Sequence, residues 1–151
     1  MRRRIFAGAL TAGMAAVSLG VLSAPGAQAQ PVAARPCSPP QTIVGVGSQG
    51  TPFALRAGYE VTGTGQIVVG EEFEINTHVP NQPWTIEFTD NGTVFFSGSE
   101  TSTGGPIAVV KADPVAGAGK HTLGAHADNT VTGETIGAGI PLPPPPACHG
   151  H

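Results

Sequence analysis

The residues best suited to chemistry lie at the C-terminal end of the chain. Cys148, His149 and His151 place a thiol and two imidazoles within four residues. Thiolate sulfur and imidazole nitrogen are donors that zinc and copper accept in proteins. Oxidation of Cys148 would remove its sulfur as a ligand, and a terminal segment has few neighbours to orient its rings. We interpret His149 and His151 as a weak metal site within an otherwise solvated tail.

A glycine-rich segment, Gly45–Gly50, has the spacing G-x-G-x-x-G. In dinucleotide-binding folds this spacing lets a helix N-terminus approach a pyrophosphate, and an acidic residue about 20 positions later binds the ribose. Glu71 and Glu72 lie at that distance, but Gly58 leaves room for only a very short helix. The sequence after it contains strand-like runs without the βαβ alternation of such folds. We therefore predict a glycine-rich loop and no cofactor.

The remaining histidines and the paired acids indicate no catalytic site. On one strand, His121 and His126 would face opposite sides of a sheet and could not clamp a ligand together. They and His78 are interpreted as ordinary surface or edge histidines. Glu72 and Glu74 would share a strand face, where paired carboxylates can perform acid–base chemistry but are more often solvated. The sequence contains no G-x-S-x-G, H-E-x-x-H or P-loop motif, and we predict no enzymatic activity.

The first 29 residues have the organisation of an export signal. Arg2–Arg4 precede an uncharged run from Ile5 to about Leu22, and Ala27-Gln28-Ala29 is a small-x-small cleavage site. The alternative is a membrane anchor, but the apolar run is near the lower length limit for a span. The basic start also fits a twin-arginine pattern, which leaves the export route open. We predict removal of residues 1–29 and a secreted mature protein with no membrane span.

Cys37 and Cys148 are the only cysteines and are predicted to form a disulfide. An even pair in an oxidising compartment is typically bonded. The two residues are near opposite ends of the mature chain, and closing so long a loop stabilises by up to about 4–5 kcal/mol in the chain-entropy model. The bond would place the two ends of the mature chain side by side.

Charge restricts the partners of the mature chain. The full sequence has 7 Lys and Arg residues and 10 Asp and Glu residues. Loss of Arg2–Arg4 leaves four basic side chains against ten acidic ones, a formal net charge of −6. An acidic chain without a basic cluster repels phosphate backbones and anionic headgroups. We therefore predict that the protein does not bind nucleic acid. We also predict a monomer whose partner is a protein or an envelope component.

Short strand-like runs separated by turn signals occupy the middle of the chain. In the clearest run, Trp84, Ile86 and Phe88 alternate with polar residues, and Asp90-Asn91-Gly92 follows as a hairpin-turn sequence. The other runs are Thr42–Val46, Phe53–Val61, Gln66–Val69, Phe73–Val79, Thr93–Phe96, Ile107–Lys111, His121–Ala127 and Thr135–Ile140. Helical periodicity is almost absent from the mature chain. These patterns predict an all-β fold, a single antiparallel sandwich of about seven to nine short strands.

Proline-rich segments flank the predicted sandwich. Residues 30–41 contain Pro31, Pro36, Pro39 and Pro40, which favour an extended arm without helix. Residues 141–151 begin with the run Pro141–Pro146, which favours a short polyproline II rod. The predicted organisation is therefore a signal at 1–29, an arm at 30–41, a β-sandwich at 42–140 and a polyproline tail at 141–151.

Three segments have the spacing of core strands in a sandwich, namely Glu72–Ile75, Trp84–Phe88 and Gly119–Asn129. They resemble an early core strand, the strand with the core Trp, and the late strand with its turn in bacterial immunoglobulin-like domains of secreted and surface proteins. The resemblance covers roughly Gly58–Ile140 and implies an immunoglobulin-like sandwich. No Cys occupies the core strands, so the disulfide of antibody domains is missing. Such sandwiches host unrelated functions, and the resemblance implies no activity.

Together these observations predict a secreted, non-enzymatic binding or structural module of the cell envelope or extracellular space. The alternative is a small extracellular metal-binding protein that uses His149 and His151. A third hypothesis, an exported enzyme without a recognisable motif, would require an open cleft with paired acids or a buried polar cluster.

Overall fold

The computed structural model describes residues 34–114 and 119–148. These residues form nine β-strands and no helix, which confirms the predicted all-β class. The strands are β1 (Arg35–Pro36), β2 (Gln41–Val46), β3 (Pro52–Val61), β4 (Ile67–Ile75), β5 (Pro80–Asp90), β6 (Thr93–Thr103), β7 (Ile107–Pro114), β8 (His121–Asn129) and β9 (Thr135–Leu142). Across these two ranges, no helix is long and apolar enough to cross a membrane. The predicted signal at 1–29 lies outside them.

The strands form two antiparallel sheets. In the first sheet the order is β1-β3-β4-β7, and β2 pairs with β3 on the same side as β1. In the second sheet the order is β6-β5-β8-β9. Because each sheet buries one face against the other, successive side chains alternate between the core and the outside.

The core is built from the inward-facing residues of both sheets. Trp84, Ile86 and Phe88 are fully buried, as their alternation predicts. The rings of Phe73 and Phe88, from different sheets, meet edge to face with centroids 6.4 Å apart. The other core residues are Leu55, Ala57, Tyr59, Val69, Ile75, Ile107, Val109, Leu123, Ala125, Ala127, Ile136, Ile140 and Leu142. Aromatic rings of this size contribute a large part of the area buried on folding.

The β5–β6 hairpin has the predicted tight turn. Asn91 and Gly92 both adopt left-handed backbone conformations, with φ of 49° and 80°, which the twist of a two-residue hairpin turn requires. A bulge follows, because Phe96 is opposite Phe88 and Val94 is opposite Thr89. The residue between Val94 and Phe96 has no opposite partner on β5, so the alternation of side chains shifts by one residue at the start of β6.

The strands also differ from the predicted runs at several boundaries. β4 is one continuous strand, where two separate runs were expected on either side of Gly70. β1 lies within the expected N-terminal arm. β9 continues through Pro141 and Leu142 into the segment expected to be a rod. Pro141 is tolerated because β9 is an edge strand, where a missing N–H removes no ladder bond, and Leu142 is buried.

The predicted Cys37–Cys148 disulfide is present, with Cα atoms 5.5 Å apart. It brings the N-terminal segment and the tail to the same end of the sandwich. The N–H of Cys37 donates a hydrogen bond to the backbone oxygen of Tyr59 at 2.7 Å. The hydroxyl of Tyr59 donates to the backbone oxygen of Pro143 at 2.6 Å. Tyr59 therefore holds both terminal segments against the end of β3.

Opening the disulfide should destabilise the fold by restoring chain entropy to the unfolded state. The loop it closes spans 111 residues, and we expect the C37A/C148A double variant to lose about 2–5 kcal/mol in free energy of unfolding. Urea unfolding of the mature protein measures this loss. Reductant should destabilise the wild type and leave the double variant unchanged. Equal stability of the two proteins without reductant would contradict the expectation.

Candidate functional site

Five ionisable side chains face the interior towards one end of the sandwich, and we call them the end cluster: Tyr59, Glu71, Asp90, Asp113 and His121. Four of them are at or near strand ends, and Glu71 is deeper, in the middle of β4. The five side chains come from five different strands, β3, β4, β5, β7 and β8. β3, β5 and β7 end where β4 and β8 begin, because the strands are antiparallel. On β4 and β7 the acidic residues share the inward phase of the core residues, so they face the space between the sheets.

Asp90 and His121 form the closest pair in the end cluster. The Oδ2 atom of Asp90 is 2.5 Å from Nδ1 of His121, and the histidine is 3 % exposed. The other ring nitrogen, Nε2, is buried and makes no hydrogen bond with a described residue. A carboxylate on Nδ1 fixes the orientation and tautomer of an imidazole and makes Nε2 the free nitrogen. The pair has the geometry of the histidine and acid of a catalytic triad.

His121 was expected at the surface or an edge, and that expectation is wrong. It pairs with the buried Leu142 on β9, which continues further than expected, and its ring meets that of Tyr59 edge to face with centroids 6.1 Å apart. The expectation that His121 and His126 face opposite sides is confirmed, because the His126 side chain is 51 % exposed. It contacts Asp128 at the surface, with Nε2 and Oδ2 3.1 Å apart.

Glu71 is the most deeply buried acid, at 1 % exposure. Its two carboxylate oxygens make no hydrogen bond within the described residues. Lys111 is directly opposite on β7, but its ammonium lies over the ring of Phe96, 4.2 Å from the centroid. Burial, with smaller contributions from the charges of Asp90 and Asp113, raises the pKa of Glu71 to about 8. The carboxyl is therefore mostly protonated at neutral pH.

Two other members of the cluster are shifted in the same direction. Burial, and then the charge of Asp90, raises the pKa of Tyr59. The same two causes raise the pKa of Asp113, and His121 opposes them. The charge of Asp90 therefore disfavours the charged forms of Tyr59, Glu71 and Asp113. This coupling is what an acid–base site needs, but the reactive atoms of Glu71 and His121 are buried. A substrate could reach them only if the end of the sandwich opened.

Metal binding is not supported at the end cluster. Within residues 34–114 and 119–148, no three His, Cys, Asp or Glu side chains are arranged to hold a metal ion. The predicted ligands His149 and His151 lie outside these residues. The sulfur of Cys148 is in the disulfide, so it is not available as a thiolate.

The glycine-rich segment Gly45–Gly50 covers the end of β2 and the loop before β3, as predicted. The loop binds the buried carboxylate of Glu134. The N–H groups of Gln49 and Thr51 donate to Oε1 at 3.2 and 2.9 Å, and the Thr51 hydroxyl donates to Oε2 at 2.6 Å. A Cβ atom at Gly47 would lie 2.5 Å from Oε1, so glycine is needed there.

A shallow groove runs along the outer face of the first sheet, above β3. It consists of three connected depressions of about 490, 300 and 230 Å³. The first two share Ala54 and Glu74, and the last two share Arg56 and Glu72. The predicted same-face pair Glu72 and Glu74 therefore lines this groove. Arg56 Nη1 and Glu72 Oε2 are 3.8 Å apart, in side chains 55 % and 42 % exposed.

The comparisons with known proteins identify no relative. No protein-family model matches the sequence. No curated protein and no solved structure is significantly similar to the chain. Function must therefore be inferred from the end cluster, the groove and the fold.

Sequence reasoning did not identify Glu71, Asp113 or Tyr59 as members of a cluster. The signal was present, because Glu71 is in phase with Val69 and Phe73 on the apolar side of its strand. Asp113 is likewise in phase with Ile107 and Val109. A charged residue in the apolar phase of a strand marks a buried polar group.

The raised pKa of Glu71 should make stability depend on pH. The pKa is about 8 in the fold against an ordinary value of 4.5, so the folded state binds the proton more tightly. This contribution is complete below about pH 4.5 and is lost as pH rises towards 8, at about 1.4 kcal/mol per pH unit. Urea unfolding between pH 5 and 8 should give a flatter profile for Glu71→Gln than for the wild type.

The exposed neighbour Glu72 provides the control for this experiment. Glu72→Gln makes the same chemical change on the opposite face of β4 and should keep the wild-type pH profile. Parallel profiles for Glu71→Gln and the wild type would contradict the assignment.

The carboxylate of Glu134 should stabilise the fold by holding the β2–β3 loop. Glu134→Gln keeps the size of the side chain but places a neutral amide against two N–H donors and a hydroxyl. We expect a loss of about 1.5–3 kcal/mol in free energy of unfolding, measured in urea. The exposed Glu100→Gln should change stability by less than about 0.5 kcal/mol. Equal effects of the two substitutions would contradict the role of the loop.

Proposed function

We propose that this chain is a secreted, non-enzymatic binding module with an immunoglobulin-like fold, acting at the cell envelope or in the extracellular space. The strand order supports the fold. β3, β4 and β7 would be strands A, B and E, and β6, β5, β8 and β9 would be C′, C, F and G. Trp84, fully buried on β5, would be the core Trp of strand C.

Export is supported by the leader and by the disulfide. The basic, apolar and small-residue regions of residues 1–29 follow the order of a secretory signal. Structural disulfides form and persist in oxidising compartments outside the cytoplasm. We therefore propose that the mature protein begins at Gln30 and acts outside the cytoplasm as a monomer.

The groove on the outer face of the first sheet is the observation that carries the binding role. Val44 and Val46, on β2, are 77 % and 66 % exposed along one side. Glu72 and Glu74, on β4, line the other side. An exposed apolar strip beside charged residues is typical of interaction surfaces. The reactive groups of the end cluster are instead enclosed, which favours binding over catalysis.

The binding role should be visible as saturable association of the mature, oxidised protein with envelope preparations from its own host. We expect V44S/V46S to bind at least about tenfold more weakly, a loss of about 1.4 kcal/mol. The control is V94S/V131S, which changes two exposed valines outside the groove and should bind normally. Equal binding by both variants, or hydrolytic or redox turnover by the purified protein, would contradict the proposal.

A further inference from the structure

The length of the groove defines one property of its ligand. The groove follows β3 from Phe53 to Glu60, a distance of about 23 Å at the rise of a β-strand. The outward residues of β3 on the floor are Ala54, Arg56 and Gly58, so no large apolar side chain rises from it. Pro40 packs over Gly58, where a Cβ atom would lie 3.1 Å from the Cα atom of Pro40, so the groove is shallowest there. A long, shallow channel of this kind fits an extended segment of about six to eight residues better than a compact ligand.

The two sides of the groove differ in chemistry. β2 and β4 flank β3, so the groove has Val44 and Val46 on one side and Glu72 and Glu74 on the other. Side chains of an extended peptide alternate in direction, so one set would meet the valines and the other set the carboxylates. This arrangement favours a bound peptide in which two chemical types of side chain alternate along the sequence.

The charges that line the groove favour basic side chains in its ligand. The groove is lined by the carboxylates of Glu60, Glu72 and Glu74 and by one guanidinium, that of Arg56. Arg56 is already beside Glu72, whereas Glu74 makes no ion pair within the described residues. The mature chain is itself acidic, so its overall field attracts cations. Acidic peptides and anionic headgroups would be repelled.

We propose that the groove binds an extended polypeptide segment in which Lys or Arg alternates with small aliphatic residues. This inference rests on the proposed binding role and specifies its partner. The basic side chains contact Glu72 and Glu74, and the aliphatic side chains contact Val44 and Val46. The partner is therefore a protein with an exposed basic strand or tail.

The test uses fluorescent octapeptides of alternating Lys and Ala, Glu and Ala, or Ser and Ala, with anisotropy read against the mature, oxidised protein. We expect saturable binding of the Lys-Ala peptide alone. The E72Q/E74Q variant should bind it at least about tenfold more weakly, because it removes both carboxylates that contact the basic side chains. Urea unfolding confirms that the variant is folded.

A charge-matched variant controls for general attraction to an acidic protein. E87Q/E100Q removes the same two charges from the second sheet and should bind the Lys-Ala peptide as the wild type does. Equal loss in both variants would overturn the proposal, because the attraction would then be non-specific. Spermine serves as competitor, and displacement at the same molar concentration as unlabelled peptide would show that the ligand is a polycation without need of a polypeptide.

Failure of this inference is distinguishable from failure of the binding role. Binding of the Ser-Ala or Glu-Ala peptide in preference to Lys-Ala would overturn the basic partner and leave a peptide-binding groove. Binding of no peptide, with envelope association still lost in V44S/V46S, would overturn the peptide partner and leave the binding role. If no peptide binds and V44S/V46S associates with the envelope as the wild type does, both proposals are overturned.

Discussion

Mutual burial of one face of each sheet is the constraint on which the rest of this molecule depends. Because side chains alternate along a strand, every residue is committed either to the core or to the outside. Glu71 and Glu72 are neighbours on β4 and show both outcomes. Glu71 is enclosed, and its burial raises its pKa to about 8. Glu72 lines the outer groove beside Arg56. One structural rule therefore produces both the enclosed acid–base groups and the exposed surface.

The terminal segments close the end of the sandwich near the end cluster. Tyr59 accepts a hydrogen bond from the backbone of Cys37 and donates one to Pro143, while the disulfide links the two segments. Beneath this closure, Asp90 and His121 have a triad-like geometry, but Nε2 is shielded from substrate. The buried polar cluster is the feature that the enzyme hypothesis required, and its enclosure is the reason that we propose a binding role.

Local sequence patterns were sufficient for much of the fold and for little of the site. Alternation at Trp84–Phe88 predicted a core strand, and Asn91-Gly92 predicted the turn, because both depend on nearby residues. The ring of His121 is held by Asp90 and Tyr59, which come from other strands, and such long-range contacts leave no local signal in the sequence. The groove requires that β2 and β4 flank β3, and strand order is a long-range property. The position of Glu71 in the apolar phase of β4 would have revealed that its side chain is buried.

The most direct test of the account is an amide NMR titration of the ¹⁵N-labelled mature protein with the alternating Lys-Ala peptide. If the outer groove is the functional surface, shifts should concentrate at Ala54, Arg56, Glu72 and Glu74 and leave His121 unchanged. Shifts centred on His121 and its neighbours in the end cluster would contradict the account, because they would place the ligand inside the end of the sandwich.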